Sequence, residues 1–380
     1  MPLMLSDKIK SSLNDSLSTN TVYCAESQGG KIGVLLGSMG APERITLIDT
    51  FLYLRKIHQQ QDTPFSLKKM LSCFNNIAKD LAIIRNELPQ YMSAYYNNIG
   101  TFAPKPQENL IANYQTEKLA NYFRVTYNQT ILFSHCHVSG QKSVENCFRH
   151  MSDKGCDRIL FFPLFPQTPN NYKDILLHDL CRVISTMTSP PTIRVAHRYY
   201  DNRLYIKLVE SFISSHISGF AELPHAILLI YNGNMYNSNE YNLQCLHTTQ
   251  MISDRMNIPH TDFHTMYINS DNQIYNHEKI NLKTVMQQSP CIEYSNIVIA
   301  FPGNSYDTLG TLSMIPKIIS TQLSETEVKY ISFVPCPNDK DQYITMLADA
   351  ISNELQGWLQ NDSYDNIANE LEYMIDSALT

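Results

Sequence analysis

The chain has 380 residues, enough for two domains or one large one. Apolar residues make up 43%, charged residues only 17%, and the net charge is −7, which excludes a basic nucleic-acid-binding surface and leaves material for a sizeable core. No apolar run approaches the roughly 18–20 residues of a membrane span, and residues 1–20 lack the long apolar segment of a secretory signal.

Residues 1–30 are polar and mixed and read as a poorly tied arm. Lys31–Leu36 (KIGVLL) followed by GSMGAP reads as a buried parallel strand entering a glycine loop. Apolar spacing predicts helices over Ile45–Arg55, Phe65–Leu88 and Glu108–Tyr122. Next come a strand over Thr130–Phe133, a helix over Val144–Met151 and a strand over Arg158–Leu164. A helix over Ile175–Met187 is closed by Ser189-Pro190-Pro191, and Thr192–Ala196 reads as a strand.

The second half repeats this rhythm. Helices are expected over Tyr205–Ile217, Leu243–Met256, Leu309–Gln322 and Gln342–Leu359. Strands are expected over Ala226–Tyr231, Phe263–Tyr267, Asn296–Phe301 and Tyr330–Val334. An acidic tail, Asp362–Leu379, has helical spacing. Apolar strands alternating with helices mean βαβ units and parallel sheets, hence an α/β fold of two series. KIGVLLGSMG and HAILLIYNGN open the two series in similar style, which supports two related halves facing a cleft. The expected division is an arm at 1–30, domains at 31–198 and 199–360, and a tail at 361–380. In such folds ligands bind beyond the carboxyl ends of the strands. The loops to watch are therefore Gly37–Pro42, Ser134–Gly140, Leu164–Tyr172, Tyr231–Asn239, Pro302–Gly310 and Pro335–Asp339.

The nine cysteines are irregularly spaced and no CxxC occurs, which reads as reduced thiols in a cytoplasmic protein. His135-Cys136-His137 is the best candidate metal site, because His135 and His137 would face one side of an extended strand. His197 and His264 also fall near strand ends and read as structural or solvated, and His277-Glu278 reads as an exposed pair.

Read in order, the loops resemble those of the ferrochelatases, which insert Fe²⁺ into a porphyrin. The family's GVLLxNLGxP appears as GVLLGSMGAP (Gly33–Pro42), and its IGxxSPL…Q…L stretch as IGTFAPKPQENLIANYQTEKLANYF (Ile99–Phe123). GxPSIEEAL appears as GQKSVENCF (Gly140–Phe148), and GxDRIxxxPLYPQ as GCDRILFFPLFPQ (Gly155–Gln167), the most specific match. YHDHPxYIxAL appears as YYDNRLYIKLV (Tyr199–Val209), and PGFxxDxLETLEEI as PGNSYDTLGTLSMI (Pro302–Ile315). LNDxxxxIxxLAD appears as PNDKDQYITMLAD (Pro337–Asp349). The matches are collinear over about residues 31–351. The resemblance implies two Rossmann-like, chelatase-type domains, each a four-stranded parallel sheet flanked by helices, with a tetrapyrrole in the cleft between them.

Metal insertion needs a base to take the pyrrole protons and ligands to hold the arriving metal, tasks that suit histidine with an acidic partner. In the family the histidine lies in SAHGLP and the acid in LETLEE. The matching positions here are Asn232 and Gly310, neither of which can move a proton usefully. Other pocket positions differ too. Ser38 stands for the Asn of NLG, His137-Val138-Ser139 for Met-Arg-Tyr, and Asn304 for the Phe of PGF. No WLxP segment is visible between His264 and Ile297. The resemblance implies ligand contacts from Ser38, Met39, Ser139, Gln167, Tyr231, Gly233, Asn304 and Asp307.

Iron or another divalent metal is the implied cofactor. No cysteine follows Cys336, so the C-terminal 2Fe–2S cluster of some relatives is not expected. Three functions are open: a ferrochelatase-family lyase that binds a tetrapyrrole or metal but lacks the ordinary insertion residues, a repurposed metal-dependent enzyme acting on a smaller non-porphyrin substrate, and a non-catalytic haem or metal carrier or regulatory pseudoenzyme. No nucleic acid and no membrane span are expected, and the protein reads as a monomer or homodimer.

Overall fold

The computed structural model describes residues 31–40, 52, 107–127, 131–138, 140–167, 170–217, 226–233, 239–258, 263–268, 274–275, 296–308, 311–312 and 330–359. The expected helices at 45–55 and 65–88 lie outside these residues apart from Leu52, as does the tail at 362–379. Of the helix expected at 309–322, only Thr311 and Leu312 are described, and both are helical.

In the N-terminal half, β1 (Lys31–Gly37), β2 (Ile131–Cys136), β3 (Cys156–Pro163) and β4 (Thr192–Val195) form a parallel sheet in the order β2-β1-β3-β4. The connecting helices are α1 (Gln107–Thr126), α2 (Val144–Asp153) and α3 (Asn170–Ile184). In the C-terminal half, β5 (Ala226–Asn232), β6 (Phe263–Ile268), β8 (Asn296–Ala300) and β9 (Tyr330–Val334) repeat that order as β6-β5-β8-β9, all parallel. A two-residue edge strand, β7 (Ile274–Tyr275), adds antiparallel to β6 and was not expected. Helices α4 (Arg203–Ile217), α5 (Asn239–Met256) and α6 (Asp341–Glu354) belong to this half. No helix among the described residues is long and apolar enough to cross a membrane.

The strands form because their residues are apolar on both faces, as a sheet covered on both sides requires. Val34, Leu35, Leu36, Phe161 and Leu228 are fully buried. Each such side chain contributes about 1.5–3 kcal/mol by leaving water. One core cluster runs through both sheets, joining Phe133 and Phe162 of the first half to Tyr205, Tyr231 and Tyr343 of the second. A second cluster lies on the other face of the first sheet, under α2 and α3. Gly37 is fixed by packing, since a Cβ there would stand 2.6 Å from Phe161 Cζ.

Polar contacts tie the halves together. Gln115 Nε2 of α1 donates to Asn338 O at 2.7 Å, and Lys118 Nζ reaches Asp341 Oδ1 at 2.9 Å. Tyr127 OH donates to Ser352 Oγ at 2.8 Å, and Ser305 Oγ donates to Leu164 O. Beyond α6 the chain turns back on the first half, where Arg194 stacks 4.4 Å from the Trp358 ring and Arg158 donates to Trp358 O. The expected helix over 342–359 ends at Glu354, and the chain beyond it passes through a left-handed Gly357 (φ +79°), which a right-handed helix does not accommodate.

Candidate functional site at the strand ends

In both sheets the first strand lies between its two successors, so the loops after β1 and β5 sit where the strand order reverses, the usual ligand-binding place in such folds. Backbone bonds carry the first edge outward. Ser38 N donates to Cys136 O at 3.1 Å and Leu164 N to Gly37 O at 2.8 Å, aligning the loops after β1, β2 and β3.

His135 and His137 do face one side, with ring centroids 4.8 Å apart at an interplanar angle of 61°. Both are buried, at 2% and 3% exposure. His137 Nδ1 lies 2.9 Å from Ser38 Oγ. His135 Nδ1 lies 3.4 Å from both Thr116 Oγ1 of α1 and Lys142 Nζ. Lys142 is brought there by the turn at 140–143, beside which His137 N donates to Lys142 O at 2.7 Å, and its ammonium donates to Asn113 Oδ1 at 2.6 Å. Gly40 lies directly on His137. Its φ is +64°, and a Cβ would come within 2.4 Å of His137 Cγ.

The far nitrogen of each ring, Nε2, is buried without a hydrogen-bond partner among the described residues. Such an unpaired group costs about 1–3 kcal/mol. Burial, and next the nearby Lys142 charge, hold the His137 imidazole down to about 3. His135 is pushed well down by burial first, then by His137 and Lys142. Imidazoles held this low are poor proton acceptors near neutrality but keep a lone pair for a metal.

The edge of the second sheet is different. Asn232 ends β5, and its Nδ2 donates to Asn304 Oδ1 at 3.2 Å. The positions matched to the family's histidine and phenylalanine thus hold two amides bonded to each other. Gly233 N donates to Ile268 O at 2.6 Å and closes the strand.

Three residues of the expected ligand set are engaged in the scaffold. Tyr231 is fully buried, with its hydroxyl 3.1 Å from Thr249 Oγ1. Gln167 Nε2 donates to Thr248 Oγ1 at 2.9 Å and Tyr205 OH at 3.3 Å, joining the halves. Asp307 accepts from Asn338 Nδ2 at 2.8 Å and Cys336 N at 3.0 Å, while its own N–H donates to Asn338 Oδ1. Met39 packs against the second core cluster. Ser139 and Gly310 lie outside the described residues.

Thr116, Asn113 and Lys142 were not anticipated as neighbours of the histidines. Gln115 and Gln167 each also present a buried Oε1 with no partner among the described residues. Gln115 matches the Gln of the IGxxSPL…Q…L stretch, which is the signal in the sequence that marks it.

A family model described as Ferrochelatase matches residues 31–355. The chain is 25% identical over 342 residues to a ferrochelatase of Mesorhizobium japonicum, covering 88% of this chain and 94% of that protein. It is 24% identical over 225 residues to a ferrochelatase of Francisella tularensis subsp. novicida, covering 57% of this chain and 66% of that protein, slightly under two thirds of that relative's length. Among solved structures, SirB from Bacillus subtilis with Fe3+ superposes with a TM-score of 0.49 at 12% identity, covering 87% of this chain and all of that one.

Proposed function

The chain belongs to the ferrochelatase family, and from that premise we propose that it binds a tetrapyrrole and a divalent metal substrate along the carboxyl edges of its two sheets, without the family's ordinary insertion chemistry. The observation that carries this reading is the Asn232–Asn304 hydrogen bond. A base facing a macrocycle must accept a proton near neutrality, and an amide does not. Asn232 instead donates one amide hydrogen to a neighbouring amide.

The scaffold around the edges supports binding. Gln167 and Ser305 join loops of the two halves, and Asp307 and Asn338 tie together two loops of the second half, so ligand groups would meet a preorganised surface. A carrier, or a partner to an active enzyme, is the role this combination fits. The six free cysteines among the described residues fit a cytoplasmic place. A second reading, a smaller and more polar substrate, is favoured by one feature: two amides stand at the second edge where the family resemblance places a histidine and an apolar ring.

An anaerobic assay with Fe²⁺ or Zn²⁺ and porphyrin tests the reading. The wild-type protein is expected to change the porphyrin spectrum on mixing while insertion stays at the blank rate. Insertion clearly above the blank would overturn it.

A further inference from the structure

We propose that His135 and His137 together form a docking site for a first-row divalent cation at the carboxyl end of β2, a site this chain builds in its N-terminal half. The inference rests on the reading above only in taking the cation to be the metal the protein handles.

Four features point to a ligand. The two residues are two apart on extended backbone, so both rings project from one face. Their centroids lie 4.8 Å apart, close enough for one ion to meet both. Both Nε2 atoms are buried and unpartnered among the described residues, although polar atoms in such positions are nearly always satisfied. Each Nδ1 has a hydroxyl beside it, the kind of outer contact that fixes a ligating imidazole's tautomer. Thr116 already donates its proton to Ala112 O at 2.6 Å, so towards His135 Nδ1 it only accepts. That contact favours the ring proton on Nδ1 and the Nε2 lone pair outward, whereas Lys142 Nζ, also 3.4 Å from this Nδ1, can only donate and favours the other tautomer, one way in which it opposes the site. Ser38 can accept from His137 Nδ1 with the same result.

The donor set also selects the ion. Imidazole nitrogens suit Zn²⁺, Fe²⁺, Co²⁺ and Ni²⁺ and disfavour Ca²⁺ or Mg²⁺. No group of three or more His, Cys, Asp or Glu positioned for a metal occurs among the described residues. Two protein ligands leave coordination positions for water or an incoming substrate, which suits transfer rather than permanent structural binding. Lys142 opposes the cation. It stands by Nδ1 of His135 and is held by Asn113, so it weakens the site without occupying Nε2.

Titration of the metal-free full chain with Co²⁺, followed by its visible absorption bands and by Zn²⁺ competition, tests the proposal. One equivalent is expected to bind. His137→Ala and His135→Ala should each weaken binding at least tenfold, and Lys142→Met should strengthen it several-fold. Circular dichroism checks the fold of each variant. Zinc X-ray absorption on the wild type, which needs no variant, should show two imidazole ligands. A zinc shell without imidazole, or Co²⁺ binding unchanged in both folded histidine variants, would overturn the inference. A porphyrin spectral change that persists when metal binding fails would defeat this site alone. Loss of the porphyrin response with metal binding intact would defeat the functional reading instead.

Discussion

The carboxyl ends of β2, an outer strand of the first sheet, and of β5, the inner strand that matches β1 in the second, carry opposite chemistry. At β2, two imidazoles keep nitrogens unpartnered among the described residues. At β5, two amides share one hydrogen bond, from Asn232 Nδ2 to Asn304 Oδ1, and neither can take a proton near neutrality. On the reading proposed above, both edges offer a place for a ligand, and the side chains decide whether that place can move a proton or hold a metal. Fold and reaction are separable in α/β folds generally.

The comparison breaks most sharply if the second edge is rebuilt. Asn232→His with Gly310→Glu restores the residue types that the family resemblance assigns to those positions. General acid–base groups contribute about 10²–10⁴-fold, so porphyrin metallation by the double variant is expected to exceed the wild type by about a hundredfold. An unchanged rate would mean that the second edge differs by more than these two residues.

The next largest effect concerns the clasp behind that edge. Asp307→Ala leaves Asn338 Nδ2 and Cys336 N without their carboxylate. A loss of about 2–3 kcal/mol is expected in urea unfolding, since bonds to a charged acceptor are strong and the abandoned donors are buried. At the first edge, Gly40→Ala pushes a methyl group onto His137 and strains a positive φ. A loss of about 1–3 kcal/mol is expected, read by thermal unfolding. The smallest effect is at the seam's surface. Lys118 pairs with Asp341 across the halves with side-chain exposures of 39% and 92%, so Lys118→Ala should cost under about 1 kcal/mol.

Much of the fold was legible because strand and helix periods survive in the sequence. Tyr330–Val334 appears with its expected bounds, and both parallel series are present. The misses have local causes. The strand expected at 130–133 continues to Cys136 because Ser134, His135 and Cys136 pair in register with Leu35, Leu36 and Gly37 of β1, an influence no local pattern reports. The edge strand β7 has only two residues, too short for an alternation signal. At the site, the shared face of His135 and His137 followed from strand geometry alone. Their burial did not, because it depends on Thr116 of α1 and on the turn that carries Lys142 inward. The scaffold roles of Gln167 and Asp307 were equally hidden, since their partners lie 81 and 31 residues away.

The central claim is that the protein retains tetrapyrrole binding after losing the insertion residues. The most direct measurement is an absorbance titration of micromolar wild-type protein against protoporphyrin, coproporphyrin and haem. A saturable spectral shift with at least one of the three is expected if the protein binds a tetrapyrrole. Three spectra that stay unchanged at every protein concentration would contradict it.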